Sequence, residues 1–320
     1  MSESVISISV IIPSFNVQDY ISEAIESVLY QSAPPNEIII INDGSTDDTR
    51  SVISQYECHD IVKVIDTENR GLGPARNTGL EMASSDYVYF FDSDDIMDEQ
   101  FIKKITCYIE KNERPEMVVF SGESFCDDPE EISFKPPGYR RKIEGCFNSG
   151  SDLYRALFEG KSIFSSACLY ITKKDVWERS GLKFKPIVHE DEDILLPLFL
   201  SVQKSCALRE VFFYRRVRAG SIMTGGVTAR NARGMLQVIK TLLALKEAQP
   251  QLVNENYDLW LFRTQSMLVA AFARSIQSGK LVPDPLVVRT LCQVWTLRTI
   301  FSISMQYALA FKKRFLRFIT

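Results

Sequence analysis

Three aspartates, Asp92, Asp94 and Asp95, directly follow an apolar run of five residues, 87–91. Carboxylates placed this closely repel one another, and their position at the end of a buried strand is easier to explain if a cation lies among them. Oxygen ligands favour Mg²⁺ or Mn²⁺, which proteins usually hold with one or two carboxylates together with substrate phosphates. The pattern predicts a divalent-cation site, and an acidic turn that caps the following helix remains the alternative explanation.

A second polar segment, 69–77, combines Gly71 and Gly73 with Arg70 and Arg76. Glycines ahead of a helix let the backbone approach a ligand, and arginines offer charge and planar hydrogen bonding to a nucleotide. The spacing departs from the dinucleotide fingerprint because an arginine stands where a small residue is needed, which disfavours a nicotinamide or flavin enzyme. A helix N-terminus that binds no ligand is the alternative explanation.

Strand and helix patterns alternate along the residues that must position these side chains. Apolar runs typical of buried strands occupy 5–12, 37–41, 61–65, 87–91 and 117–120, and helical spacing occupies 19–31, 45–56, 74–82 and 99–111. Ser45 and Asp48 stand in the capping-box positions of the second helix. The alternation predicts an α/β fold with a mostly parallel sheet covered on both faces, in which ligands bind at the carboxyl ends of the strands.

After residue 126 the sequence pattern changes twice, first to a polar segment and later from strand to helical patterns. Residues 127–147 are polar and rich in Pro and Gly, which predicts a loop or irregular hairpin over a site. Two further strand patterns, at 168–172 and 207–213, precede helical patterns that continue from 229 to the end. We therefore expect one domain over 1–228, with halves 1–125 and 126–228, and a helical region over 229–320.

Composition limits the class of protein. A chain of 320 residues with 45% hydrophobic and 24% charged residues can bury a full core, which indicates a globular, soluble protein. The net charge of −4 gives no overall basic surface, so a nucleic-acid partner has little electrostatic support.

The cysteines and the N-terminus bear on the compartment. Seven scattered cysteines without a C-x-x-C pair favour reduced, buried thiols over a disulfide framework or a zinc site. The N-terminus does not match a signal peptide, and no stretch reaches about 18 uninterrupted apolar residues. These features predict a cytoplasmic protein.

Four motifs together resemble the family 2 glycosyltransferases, whose fold is of the GT-A type. They are Val10 to Asn16, Ile41 to Thr49, Asn69 to Gly79 and Phe91 to Asp95, in this order over about 95 residues. The resemblance implies a Rossmann-like nucleotide-sugar domain with a C-terminal helical extension. It places the nucleotide-sugar donor in 1–125 and the acceptor and catalytic groups in 126–228.

The resemblance also implies roles for individual residues. Asp43 and Arg76 would lie near the base, Asp92 near the ribose and the metal, and Asp94 on the Mn²⁺ or Mg²⁺ that bridges the diphosphate. The residues expected to contact the donor are Pro13, Ser14, Asn16, Asp43, Gly73, Arg76, Asp92, Ser93, Arg218 and Ser221.

The acidic run at 189–193, ahead of an apolar helical segment, resembles family members of the capsule and O-antigen type. There the Asp of a similar Glu-Asp pair is the catalytic base, which makes Asp191, beside Glu190, the candidate here, with Asp193 as the other possibility. A positioned base typically contributes about 10²-fold to 10⁴-fold. An acidic first turn that suits the helix dipole is the alternative. Arg218 and Ser221 resemble residues of a loop that reaches the diphosphate and neutralises charge on the leaving group.

These resemblances predict an inverting transfer of a hexose or N-acetylhexosamine from a UDP-sugar to a hydroxyl of a surface glycan carried on a polyprenyl diphosphate. A non-catalytic sugar-nucleotide-binding or assembly subunit is the alternative. A sugar-phosphate nucleotidyltransferase is disfavoured because residues 13–16 are not a glycine-rich basic loop.

The C-terminal stretch 300–319 sets aromatic residues beside basic ones, which is typical of a helix on an anionic membrane surface. It predicts attachment to the cytoplasmic face of the inner membrane. A helix packed on the protein with a solvated basic end is the alternative.

Overall fold

The structure is a computed structural model that describes residues 5–128, 136–218 and 229–248, and then 250, 257–258, 260–261 and 263–267. The described residues fall into two compact units. The first unit takes those within 1–186 and 197–224, and the second takes those within 187–196 and 225–320.

Strands and helices alternate along most of the described part of the chain. The strands are β1 (Ile8–Ser14), β2 (Glu37–Asp43), β3 (Val62–Thr67), β4 (Tyr87–Phe90), β5 (Ile96–Met97), β6 (Met117–Phe125), β7 (Gly145–Phe147), β8 (Tyr170–Lys173) and β9 (Ser205–Arg216). The helices are α1 (Ile21–Leu29), α2 (Thr49–Ser54), α3 (Leu72–Met82), α4 (Phe101–Lys111), α5 (Gly150–Glu159), α6 (Lys174–Ser180), α7 (Glu190–Ser201) and α8 (Ala229–Ala248).

The strands form one mixed sheet in the order β3-β2-β1-β4-β8-β6-β9-β5, with β7 paired to β9. Strands β3, β2, β1 and β4 are mutually parallel, as are β6 and β9, while β8 runs antiparallel to both of its neighbours. Every residue of β1 and β2 is buried, because helices cover both faces of a parallel sheet. The predicted α/β fold with a mostly parallel sheet is confirmed.

Two layers of side chains fix the sheet between its helices. On one face, Tyr89, Phe101 and Phe120 pack with ring centroids 4.8 to 5.8 Å apart. On the other face, helix α3 comes so close that a Cβ added to Gly79 would lie 2.2 Å from a side-chain carbon of Ile11. Helix α3 therefore has a fixed position above β1, and the loop before it is held at the edge of the sheet.

Sequence patterns missed the short elements and misplaced one helix start. Strands β5 and β7 and helices α5 and α6 were not predicted. The two strands and α6 are too short to show a period, whereas α5 has ten residues, and its N-cap Ser149 and its buried Leu153 and Leu157 were a signal available in the sequence. The predicted capping box is wrong: α2 begins at Thr49, and its N-cap residue Asp48 makes no side-chain capping bond. The hydroxyl of Ser45 accepts instead from the backbone N–H of Asn16, in a neighbouring loop.

The expectation of seven reduced, buried thiols is also wrong. Cys146 on β7 and Cys206 on β9 form a disulfide, because the antiparallel pairing of these strands sets them opposite each other with Cα atoms 4.0 Å apart. Cys58 and Cys107 are exposed. The cysteine pattern therefore no longer supports a reducing compartment.

A buried carboxylate anchors the amino-terminal end of the sheet. Glu37 is 3% exposed and accepts hydrogen bonds from Lys63 Nζ, Ser9 Oγ and the backbone N–H of Ser84, each at 2.6 Å. Burial alone would raise its pKa, but the bonds from Lys63, Ser9 and Ser84 outweigh it and lower the pKa of Glu37 to about 2. The charged form is therefore the form that the fold stabilises.

This lowered pKa predicts a pH-dependent stability. The folded pKa lies below the usual 4.5, so Glu37 contributes about 3 kcal/mol above pH 4.5, and this contribution is lost as the pH falls toward 2. We expect the difference in unfolding free energy between the wild type and Glu37→Gln to shrink by roughly half from pH 7 to pH 3. Urea unfolding at both pH values measures this, and an unchanged difference would contradict it.

The second unit consists of helices in its described part. Met235, Leu236 and Ile239 of α8 form a buried apolar cluster with Leu261 and Met267. The first part of α7, up to Leu196, belongs to this unit, and Pro197 begins the part that belongs to the first unit. Within the described residues, no helix is both long and apolar enough to cross a bilayer.

Candidate active site

The loops after β1 and β2 are joined by hydrogen bonds at the carboxyl edge of the sheet. The side-chain oxygen of Asn16 accepts from the backbone N–H of Thr46 at 2.8 Å, and Val17 N–H donates to the hydroxyl of Thr49 at 2.8 Å. Asn16 has a φ of 51°, in the left-handed region that asparagine tolerates better than most residues. Pro13 and Ser14 are buried at the end of β1, so this edge has a fixed shape.

Asp43, the last residue of β2, organises the loop that leads into α3. Its carboxylate accepts from the backbone N–H groups of Arg70 at 3.1 Å and Gly71 at 2.8 Å, and from the hydroxyl of Thr67 at 3.1 Å. The structure thus brings the loop at 67–71 beside the end of β2, as strand order requires. Contact of Asp43 with a nucleotide base stays a prediction.

The acidic turn after β4 lies on the other side of β1. Asp92 accepts from Arg76 Nη2 at 2.9 Å, and the Arg76 side chain is only 1% exposed and lies 5.3 Å from the ring of Phe184. Burial would raise the pKa of Asp92, but Arg76 and Arg215 outweigh it and lower that pKa. Arg76 therefore supports the charged form of Asp92 from the protein interior, a contact that sequence spacing did not indicate.

The next two carboxylates of the turn differ in exposure. Asp94 is 24% exposed and accepts from Arg218 Nε at 3.1 Å. Burial and the neighbouring Asp92 raise its pKa, an effect that Arg218 partly offsets. Asp95 is 2% exposed, and burial together with Asp94 and Asp92 raises its pKa well above the usual range.

The arginines at the end of β9 hold this turn, and sequence reasoning passed over two of them. The buried side chain of Arg216 donates from Nε to the backbone carbonyl of Asp94 at 2.9 Å, and its backbone N–H donates to Asp95 Oδ1 at 2.8 Å. Arg216 also pairs with Glu23 and Asp127. The alternation of side chains along β9, which sets Arg216 on the side opposite to Arg215, was the signal available in the sequence, and Arg218 lies over the same Tyr20 ring as Arg216.

The charge balance of the turn differs from the sequence-based expectation. The closeness of the three carboxylates was easier to explain with a cation among them, but Arg76 and Arg218 already pair with Asp92 and Asp94. Burial disfavours a charged Arg215, yet nearby acidic groups including Asp92 and Asp95 raise its pKa. Repulsion alone therefore does not require a metal here.

The residues present still fit a hard divalent cation. Asp92 and Asp94 are 20% and 24% exposed, so their oxygens can meet a hydrated ion that takes its other ligands from phosphates. Ligand atoms of Asp92, Asp95 and Cys168 lie within 4.8 Å of one another, but Asp95 and Cys168 are buried. The candidate ligands are therefore Asp94 and Asp92, and not the buried Asp95 and Cys168.

The remaining predicted donor residues fall in different surroundings. Ser93 is buried within the acidic turn. A Cβ added to Gly73 would lie 2.3 Å from the backbone carbonyl oxygen of Lys185, so packing against this segment already explains that glycine. Ser221 lies outside the described residues, as do the membrane-helix candidate at 300–319 and residues 129–135 of the expected loop.

The candidate base lies in the second unit, at the start of α7. Glu192 makes a two-point ion pair with Arg263, and Asp193 accepts from the hydroxyl of Thr241 at 2.5 Å. Both carboxylates are buried, as is Glu190, whereas Asp191 is half-buried. Asp191 is therefore the most accessible of the four acids at 190–193.

Two cavities of the first unit lie away from these residues. One of about 400 Å³ is lined by Ser84, Asp86 and Lys174, and one of about 290 Å³ by Asn77 and Trp177 among others. The first includes Tyr87, which begins β4, whereas the acidic turn follows the end of that strand. The candidate site is therefore an edge built from loops rather than either of these cavities.

The fold and this edge define a class of protein, a glycosyltransferase with the GT-A architecture. The chain belongs to glycosyl transferase family 2, whose family model matches residues 9–178. Among similar proteins, the uncharacterized glycosyltransferase EpsJ of Bacillus subtilis is 26% identical over 218 residues, which are 67% of this chain and 62% of EpsJ. The chain thus covers less than two thirds of that relative's length.

Solved structures support the fold. Residues 1–349 of TarS from S. aureus, in complex with UDP-GlcNAc, superpose with a TM-score of 0.64 at 18% identity, covering 94% of this chain and 90% of that one. The mannosyltransferase PcManGT from Pyrobaculum calidifontis, in complex with GDP-Man and Mn²⁺, gives a TM-score of 0.55 at 18% identity, covering 95% and 85%. At these identities the likeness concerns the fold alone.

Proposed function

We propose that this glycosyltransferase transfers a hexose or N-acetylhexosamine from a UDP-sugar to a hydroxyl of a surface glycan, with inversion at the anomeric carbon. The observation that carries the proposal is the edge at the carboxyl ends of β1, β2 and β4. There the loop at Asn16, the carboxylate of Asp43 and the Asp92–Asp94 turn come together in a chain of family 2.

The donor is proposed to be a UDP-sugar because TarS, a protein of the same fold, was solved with UDP-GlcNAc. PcManGT, with GDP-Man, makes a GDP-sugar the competing donor. Asn16 and Asp43 would contact the nucleoside, although Asp43 also holds the loop at 67–71. The acceptor, a glycan carried on a polyprenyl diphosphate at the inner membrane surface, follows from the resemblance to capsule and O-antigen enzymes.

Asp94 and Asp92 would hold Mn²⁺ or Mg²⁺, an assignment supported by their exposure and by the Mn²⁺ of PcManGT. When bound, such an ion would supply positive charge beside the diphosphate leaving group. Arg218 would donate to the same phosphate oxygens. Arg76 contacts the Asp92 carboxylate from the interior, and Arg216 donates to the backbone carbonyl of Asp94 and so holds the turn in place.

Asp191 would serve as the general base, with Glu190 beside it. The acceptor oxygen forms its bond to the anomeric carbon as the bond from that carbon to the UDP oxygen breaks. The hydroxyl proton passes to the Asp191 carboxylate, and the electron pair of the broken bond leaves with UDP. A single displacement of this kind inverts the configuration.

Calorimetric titration of UDP, and separately of GDP, into the purified protein with Mn²⁺ and then with chelator tests the donor site. We expect binding of UDP in preference to GDP, weakened at least tenfold by chelator. Asp94→Asn should bind UDP equally with and without Mn²⁺, since it lacks the proposed ligand.

Other results of the titration would change the proposed donor, the proposed metal or the proposed activity. Preference for GDP would make a GDP-sugar the donor. Equal affinity for UDP with Mn²⁺ and with chelator would exclude a role for the metal in donor binding. Absence of binding by either nucleotide would overturn the proposed donor site. Tight UDP binding without transfer to any acceptor would favour the non-catalytic assembly subunit.

A further inference from the structure

We propose that Arg218 couples the divalent cation to the nucleoside diphosphate by exchanging partners. Without a nucleotide, Arg218 donates a hydrogen bond to Asp94. When a diphosphate binds, Arg218 donates to the phosphate oxygens instead, and Asp94 becomes available to the cation. This inference rests on the proposed function, because it takes Asp94 as a metal ligand.

The contact itself is direct. Arg218 Nε donates to Asp94 Oδ2 at 3.1 Å, and the guanidinium carbon lies 4.8 Å from the centre of the Tyr20 ring. A guanidinium and a metal ion cannot occupy the same lone pairs of one carboxylate oxygen at their normal distances. A cation that takes the Oδ2 lone pair to which Arg218 donates must therefore displace this arginine.

The Arg218–Asp94 pair differs from the other contacts that hold the turn. Arg76 and Arg216 are 1% and 4% exposed, and both are held in the interior by aromatic rings and hydrogen bonds. Arg218 and Asp94 are 25% and 24% exposed. Separating a partly exposed ion pair costs little, whereas separating a buried one leaves a charge without its counter-ion, so Arg218 is the arginine able to exchange.

The charges balance in both arrangements. Asp94 keeps a positive neighbour throughout, first the guanidinium and then the cation. The guanidinium in turn moves from a carboxylate to a phosphate, a partner to which its planar fork can donate two parallel hydrogen bonds. The diphosphate supplies the negative charge that the additional cation requires.

Linkage turns this exchange into a measurable coupling. Mn²⁺ alone must compete with Arg218, while Mn²⁺ added after UDP meets an Asp94 that Arg218 has left. Each ligand should therefore tighten the other by the same factor, within the usual range of about 5- to 150-fold. In Arg218→Gln that factor should fall several-fold toward one.

The decisive measurement is the affinity for Mn²⁺ alone, from the electron paramagnetic resonance signal of unbound Mn²⁺. Arg218→Gln should bind Mn²⁺ about two- to fivefold more tightly than the wild type, because the competing guanidinium is gone. Arg140→Gln removes one positive charge from an exposed pair with Glu123 and should leave this affinity unchanged. Arg218→Lys keeps the charge but loses the planar fork, and should retain weak Mn²⁺ binding with reduced coupling. Thermal unfolding confirms that each variant is folded.

Several results would overturn the exchange. These are equal or weaker binding of Mn²⁺ by Arg218→Gln, a similar gain in Arg140→Gln, full coupling in Arg218→Gln, or no Mn²⁺ binding by either protein. If the wild type has the same affinity for UDP with and without Mn²⁺, the exchange is also overturned, but the proposed nucleotide site is not. Failure of UDP to bind overturns the proposed function, while the Mn²⁺ measurement still decides the role of Arg218.

Discussion

Replacing Asp191 with Asn is expected to lower kcat by about 10²-fold to 10⁴-fold while the affinity for UDP stays within twofold of the wild type. Asparagine keeps the size of the side chain and one hydrogen-bonding oxygen but cannot accept the acceptor's proton. Glycosyl transfer at saturating donor and calorimetric UDP binding, measured on the same preparation, check both parts.

The neighbouring acids provide matched controls. Asp193→Asn should cost much less activity, because Asp193 is buried and its carboxylate accepts from Thr241. Glu192→Gln weakens the pair with Arg263, so its effect should appear in unfolding free energy rather than in kcat at a temperature where the protein is folded. If Asp193→Asn lost most of its kcat while Asp191→Asn kept the kcat of the wild type, Asp193 and not Asp191 would be the general base.

Replacing Asp92 with Ala is expected to lower the unfolding free energy by about 3 kcal/mol. The change removes the carboxylate that pairs with Arg76, a side chain only 1% exposed, and leaves its charge in the interior without that counter-ion. Asp94→Ala is the matched control from the same turn, and it should change stability by less than about 1 kcal/mol, since both members of its pair are partly exposed. Urea unfolding of the two variants measures the difference.

The double variant Asp92→Ala with Arg76→Met separates stability from function. Removing both charges should restore most of the lost unfolding free energy, because an apolar side chain of similar length replaces the uncompensated arginine. Under the proposed function, Mn²⁺-dependent UDP binding should remain lost, since Asp92 is a candidate ligand. Equal destabilisation by Asp92→Ala and Asp94→Ala would contradict the supporting role of Arg76.

The long regular elements were predictable because their patterns are local. Strand β2 is one apolar run in sequence, and α4 shows its buried face as regularly spaced isoleucines, so burial alone dictates where such segments go. Strand β7 has three residues and owes its existence to its pairing with β9. A local sequence pattern predicts neither such a strand nor the disulfide between Cys146 and Cys206, because both depend on the pairing of β7 with β9.

The sequence by itself determined the alternating α/β order, the family, and the three strand ends whose polar residues meet at one edge. Those properties follow from residue types and spacing within single segments. Only the tertiary structure decided which charges neutralise one another. Arg76 pairs with Asp92, 16 positions away in the chain, and Arg218 pairs with Asp94, 124 positions away. Electrostatic partners are set by distance and burial after folding, and a linear pattern of charges contains neither.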